Sequence, residues 1–195
     1  MRTKSSVLVL TLALLLPVLA AAEPATYKVN QAHSSVGFSI RHFVSDVDGR
    51  FNDFGGAIKY DKDNPANSSV QFTVQAASIN TDNPDRDKHL KSPDFFDVAK
   101  FPTLSFTSTS VKPRDAKTLD VTGDFTLRGV TKRITIPVTV QGAIKTPQGE
   151  KAGFRTSFSV NRMDYGVAWN RAIEGGGAML GDNVDISVRT EADRQ

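Results

Sequence analysis

Alternation of apolar and polar residues at a period of two restricts this chain more than any other feature. Val36, Phe38 and Ile40 fall on one face of an extended segment, and Ser35, Ser39 and Arg41 on the other. Successive strand side chains point to opposite faces, so such a row predicts half-buried strands and not helices. The same parity recurs in Val70-Phe72-Val74, Leu104-Phe106 and Leu119-Val121-(Gly123)-Phe125-Leu127. It returns in Ile134-Ile136-Val138-Val140, Phe154-Thr156-Phe158-Val160 and Val184-Ile186-Val188. A further strand is expected over 51–60, with Gly55-Gly56 as its bend, which brings the expectation to about eight strands. Turn-rich stretches at 61–67, 112–117 and 146–149 separate them, and neither a repeat nor an internal boundary divides the chain.

One segment departs from the pattern. Asn83 reads as a helix N-cap and Pro84 as the first helical residue, with Asp85 and Asp87 suited to the positive end of the helix dipole. Ser92-Pro93 repeats the cap signal before Asp94-Phe95-Phe96, so a short second turn is expected. The fold class is therefore all-β and antiparallel, with one short helical insertion between the third and fourth strands. Eight strands with one apolar face each form either a two-sheet sandwich or a closed barrel. The aromatic residues on those faces, Phe38, Phe51, Phe54, Phe72, Phe106, Phe125, Phe154 and Phe158, would interdigitate as core in the first and line an elongated cavity in the second.

The first 22 residues are read apart from the fold. Arg2 and Lys4 precede an apolar run at 7–19, and Ala20-Ala21-Ala22 supplies a small-residue cleavage signature, the pattern of a secretory signal peptide. The run is shorter than the ~20 residues of a membrane span and is followed at once by Glu23-Pro24. The expected organisation is a signal peptide at 1–22 and a single domain at 23–195, exported to the periplasm. Loss of Arg2 and Lys4 lowers the formal charge from +3 to +1, and the remaining charges are interspersed, so no nucleic-acid partner is expected. The chain has no cysteine, which excludes a disulfide framework, a thiol nucleophile, a lipid-anchored N-terminus and cysteine-based metal sites.

Catalytic signatures are weak. His33 and His42 flank the first alternating strand and His89 lies on the helical insertion, with neither the spacing nor the ligand cluster of a zinc site, so no metal is expected. His42 shares the parity of Phe38 and Ile40 and could end the inward row at a barrel mouth. Asp85-Arg86-Asp87 reads as surface ion pairs and a helix cap. Gly175-Gly176-Gly177 lacks the strand and the Lys-Ser/Thr of a phosphate loop, and reads as a flexible connection within 161–182. A nucleophile elbow and a dinucleotide fingerprint are also absent. Three functions remain open on the residues alone: a lipid binder, an enzyme using His33, His89 or Asp85 as acid-base group, and a sandwich that binds another protein.

Several motifs converge on a known family. His33-Ser34-x-Val36-x-Phe38-x-Ile40-x-His42 resembles the opening strand of the YceI-like family of exported polyisoprenoid-binding proteins. Gly49-x-Phe51-x-x-Phe54-x-Gly56 and the stretch from Ser78-Ile79-Asn80-Thr81 to Phe95-Phe96 are similar to its next signatures. Phe101-Pro102-Thr103-x-x-Phe106-x-Ser108, Gly123-Asp124-Phe125-Thr126-Leu127-x-Gly129-Val130-Thr131 and Arg162-x-Asp164-Tyr165-Gly166 follow in order, over nearly the whole mature chain. The resemblance implies an extended, lipocalin-like, eight-stranded antiparallel barrel with a helix packed outside it. Its cavity would hold one polyisoprenoid, such as an isoprenoid quinone or related amphiphile, with no other cofactor and no catalysis. The lining expected on this basis is Phe38, Ile40, Phe51, Phe54, Phe72, Phe106, Phe125, Ile136, Phe158 and Ile186. His42, Asp164, Asn170 and Arg171 are the candidate head-group contacts. Transient membrane contact is consistent with such a ligand, and monomer and dimer are both compatible with the sequence.

Overall fold

The computed structural model describes residues 23–172 and 178–195, so residues 1–22, expected as a signal peptide, and Gly175-Gly176-Gly177 lie outside the described residues. Eleven strands form one antiparallel sheet: β1 Ala25–Val29, β2 Ser35–His42, β3 Ser45–Phe51, β4 Phe54–Tyr60, β5 Ser69–Gln75, β6 Ile79–Asn80, β7 Thr103–Pro113, β8 Thr118–Leu127, β9 Val130–Thr146, β10 Gly149–Asn161 and β11 Leu180–Arg194. Eight of them close a ring in the order β1-β4-β5-β7-β8-β9-β10-β11, with β11 returning to β1. The alternative of two facing sheets is thereby settled in favour of a closed barrel.

Closure depends on the length of β11. Its 180–189 stretch pairs with β2, and its last residues, 192–194, pair with β1. β1 and β2 thus share one flank of β11, separated by the single 3-10 turn Gln31–His33. β3 extends the sheet from β2, and the two-residue β6 pairs with the end of β3. Between Gly153 and Phe154 the β9–β10 register skips Gln141, a bulge that bends these two long strands around the ring.

The segment expected as one strand over 51–60 is two. The chain breaks at Asn52 and Asp53, where the Asn52 amide donates to the Ser78 carbonyl (3.1 Å) and the Asp53 carbonyl accepts from the Gln75 amide (2.9 Å). Gly55 and Gly56 lie inside β4 and not at the bend. Glycine serves another purpose in this barrel, as a bed for aromatic rings. A Cβ on Gly49 would come within 2.3 Å of the Phe38 ring, and one on Gly123 within 2.5 Å of the Phe106 ring. Each ring therefore lies across the bare backbone of the neighbouring strand, which keeps it close to the wall of the barrel.

Helix α1, Pro84–Lys91, forms where the cap signals place it: the Asn83 side chain accepts from the Arg86 amide at 3.0 Å. Thr81 anchors its first turn. Asp87 Oδ1 accepts from the Thr81 amide and hydroxyl (2.9 and 2.6 Å), while Arg86 donates to the Thr81 hydroxyl and carbonyl (2.7 and 2.8 Å). After the helix, hydrogen-bonded turns carry Phe95 and Phe96 inward. Arg128 pins this segment to the barrel by donating to the carbonyls of Pro93 (2.8 Å) and Gly166 (2.7 Å).

Candidate functional site: the barrel lumen

Inward-facing residues of β4, β5 and β7 to β11, together with those of β2 and β3, line a cavity of about 530 Å³, inside the ~300–1,000 Å³ range of ligand pockets. Nine of the ten apolar positions singled out in the sequence border it: Phe38, Ile40, Phe51, Phe72, Phe106, Phe125, Ile136, Phe158 and Ile186. Phe54 does not. It shares the parity of Ile58 and Tyr60, which border the lumen, but it is sealed off in the packed cluster with Val29 and Ile79, stacked on Phe72 at 5.9 Å between centroids.

The candidate head-group contacts separate. His42 borders the lumen, in register with Leu180 across β2 and β11. Asp164, Asn170 and Arg171 do not border it. Asp164 lies on the surface with its carboxylate 3.2 Å from Lys132 Nζ. Asn170 works as a backbone clamp, donating to the Leu180 carbonyl (2.9 Å) and accepting from the Leu180 amide (3.0 Å). Arg171 is exposed. All three lie past the end of β10, where strand parity gives no guidance.

Helix α1 is not simply outside the barrel. Asp85, Arg86, His89 and Leu90 border the lumen, so the helix forms part of its wall. The His89 ring meets Phe95 and Trp169 edge-on, each at 5.0 Å between centroids, and its Nε2 lies 2.8 Å from Asp94 Oδ2. His33 is remote from the lumen and instead lies 3.3 Å from Asn30 Oδ1. Of the three residues in the acid-base alternative, His89 and Asp85 reach the cavity and His33 does not.

Polar groups are few along this lining, and two are buried without a hydrogen-bond partner among the described residues: Thr156 Oγ1 and Arg162 Nη2. Burial lowers the basicity of the Arg162 guanidinium, with Asp182 acting in the opposite direction, and burial also raises the pKa of the Tyr60 phenol. Arg162 was legible in principle. It continues the parity of Phe154, Phe158 and Val160, two residues beyond the last of them. Trp169 and Met179, which also border the lumen, belong to the connection before β11 and carry no periodic signal.

A closed eight-stranded antiparallel ring around an enclosed apolar lumen defines a lipocalin-like barrel. Within that class the comparisons are specific: residues 27–192 match the model of the YceI-like domain. This chain belongs to the YceI-like family. It is 41% identical over 168 residues to protein YceI of Escherichia coli O17:K52:H18, covering 84% of this chain and 87% of that protein. Among solved structures, Burkholderia cenocepacia BcnA superposes with a TM-score of 0.75 at 24% identity, covering 84% of this chain and 99% of BcnA. A polyisoprenoid binding domain from Saccharophagus degradans, implicated in plant cell wall breakdown, superposes with a TM-score of 0.66 at 14% identity, covering 89% of this chain and all of that domain.

Proposed function

We propose that the lumen holds one long-chain polyisoprenoid, an isoprenoid quinone or related amphiphile, and that the protein carries or buffers it in the periplasm after loss of residues 1–22. The observation that carries this proposal is the enclosed apolar lumen, whose wall is built from inward phenylalanine, leucine, isoleucine and valine. Family membership, and the fold shared with a polyisoprenoid binding domain, support the choice of ligand class.

The energetics favour a carrier over a sink. Burying about 40 prenyl carbons from water is worth roughly 30 kcal/mol on a per-methylene basis, above the ~18–21 kcal/mol at which affinities saturate. The ligand starts in a bilayer, however, whose tails are as apolar as this lumen, so the hydrophobic drive for extraction is near zero. Preference then rests on cavity shape and on a few polar contacts. Uptake is served by the β2–β3 hairpin tip, where Phe43 and Val44 are exposed, Val44 at 91%. The Phe43 amide donates to the carbonyl of Met179, a lumen residue, at 2.9 Å, which sets this apolar tip beside the cavity. We assign the tip to transient membrane contact.

We favour binding over catalysis on the apolar lining of the lumen, in whose wall His89, hydrogen-bonded to Asp94, packs edge-on against the adjoining rings of Phe95 and Trp169. The test is thermal unfolding before and after organic extraction of lipid. Extraction should lower Tm, and adding back a polyprenyl lipid should restore it, because a ligand that binds only the folded state stabilises it by mass action. A Tm indifferent to both treatments would show that the lumen is merely a loosely packed core.

A further inference from the structure

The lumen contains one buried charge that is incompletely paired. Arg162 is 3% exposed and borders the lumen. Its Nε donates to the Gly181 carbonyl at 2.8 Å, and Nη1 to the carbonyls of Val167 and Trp169 at 2.6 and 2.9 Å. Nη2 is buried with no hydrogen-bond partner among the described residues. The carboxylate facing it, Asp182 Oδ1, stands 3.9 Å away on a side chain that is 60% exposed.

Three backbone bonds fix the plane of the guanidinium, and so fix the direction of the two Nη2 protons. A free donor held in this way is pre-organised for an incoming acceptor and loses little entropy on meeting one. A buried cationic donor without an acceptor is unfavourable, and an anionic oxygen relieves that cost more fully than a neutral one, because it supplies both the hydrogen bond and the counter-charge. Thr156 Oγ1, also unpartnered, lacks this property: a neutral hydroxyl can rotate and brings no charge.

We propose that Arg162 is the head-group anchor of the lumen, and that it selects amphiphiles with an anionic oxyacid head over neutral ones with the same chain. This rests on the lipid-binding function proposed above. Among the amphiphiles named there it favours apolar chains ending in phosphate or carboxylate over neutral heads such as a quinone, with Arg162 Nη2 donating to the head-group oxygen.

Trp169, the only tryptophan in the sequence, borders the lumen and accepts from Arg162 through its carbonyl, so its fluorescence reports binding at this end. Delipidated protein is titrated with farnesyl phosphate and with farnesol, which differ only in the head. Wild type should bind the phosphate at least about tenfold more tightly, the scale of one charge-assisted hydrogen bond. In a folded Arg162→Gln the ratio of the two affinities should fall toward one, and a ratio that stays at the wild-type value contradicts the anchor. Asp182→Asn, at an exposed side chain, removes the competing carboxylate and carries the test if Arg162→Gln does not fold. Its preference for the phosphate should rise, and an unchanged preference contradicts the proposal. Equal affinity of wild type for the two probes overturns the anchor and leaves the lipid carrier standing. Binding of neither probe overturns the carrier itself.

Discussion

Phe54 and Phe125 show how two buried phenylalanines of like parity differ in role. Both are buried, but Phe125 borders the lumen and packs edge-on to Phe158 and Tyr165 at 6.2 and 5.5 Å, whereas Phe54 packs in the cluster with Val29 and Ile79 and does not border the lumen. Phe54→Ala should therefore lose the full core increment, about 3–5 kcal/mol in chemical denaturation, with ligand content per folded molecule unchanged. Phe125→Ala should lose less stability, because a flexible chain in the lumen can shift into the gap, and should lose ligand occupancy. Equal stability losses with equal occupancy would assign both to ordinary core. Tyr27 supports a pH prediction at the same scale. Its hydroxyl donates to Glu150, and burial, followed by that carboxylate, pushes its pKa up from 10.0 to about 12. The folded state thus holds the phenol proton more tightly than the unfolded chain does, so the contribution is intact below pH 10 and is lost as pH rises from 10 toward 12. Wild-type Tm should fall more steeply than that of Tyr27→Phe across this window, and parallel profiles would contradict the assignment.

Among the elements, α1 is the one whose position departs most from expectation. Its sequence specifies a helix through the Asn83 cap, Pro84 and an acidic first turn, and nothing in these residues specifies where the helix docks. That information lies in Thr81, which grips its first turn through hydrogen bonds spanning five and six residues, and in Arg128, which holds Pro93 just past its end across thirty-five. Asn83→Ala should cost about 1 kcal/mol, the usual scale of a lost N-cap. Because His89 and Leu90 form part of the lumen wall, the variant should also release ligand faster. An unchanged release rate would place the helix outside the exit path. The strands show the same division between local and distant information. Those with three or more alternating apolar residues, such as β2, β5 and β8, were legible. β1 was legible only in Tyr27 and Val29, and the end of β11 was masked because Thr190 and Ala192 replace large apolar residues. Both overlooked pieces are the ones that close the ring.

For the whole molecule, closure is what turns a row of phenylalanines into a binding site. Periodicity marked the apolar strand faces that border the lumen, since parity is a local property that the barrel preserves, but not the part of the wall supplied by α1, Phe95, Phe96, Arg162, Trp169 and Met179. It could not distinguish barrel from sandwich, which depends on whether β11 reaches β1. The polar end of the site was the least legible part, for the same reason: Trp169, Met179 and the Asn170 clamp belong to a connection whose course is set by long-range hydrogen bonds and not by pattern. On the function proposed above, this closed barrel carries one polyisoprenoid chain inside it. Native mass spectrometry of the protein purified from the periplasm, followed by organic extraction, tests it most directly. A loaded carrier should show a single non-covalent adduct per chain, lost on denaturation and recovered in the extract as a prenyl lipid. A protein that flies at its bare polypeptide mass, and yields no lipid on extraction, would contradict it.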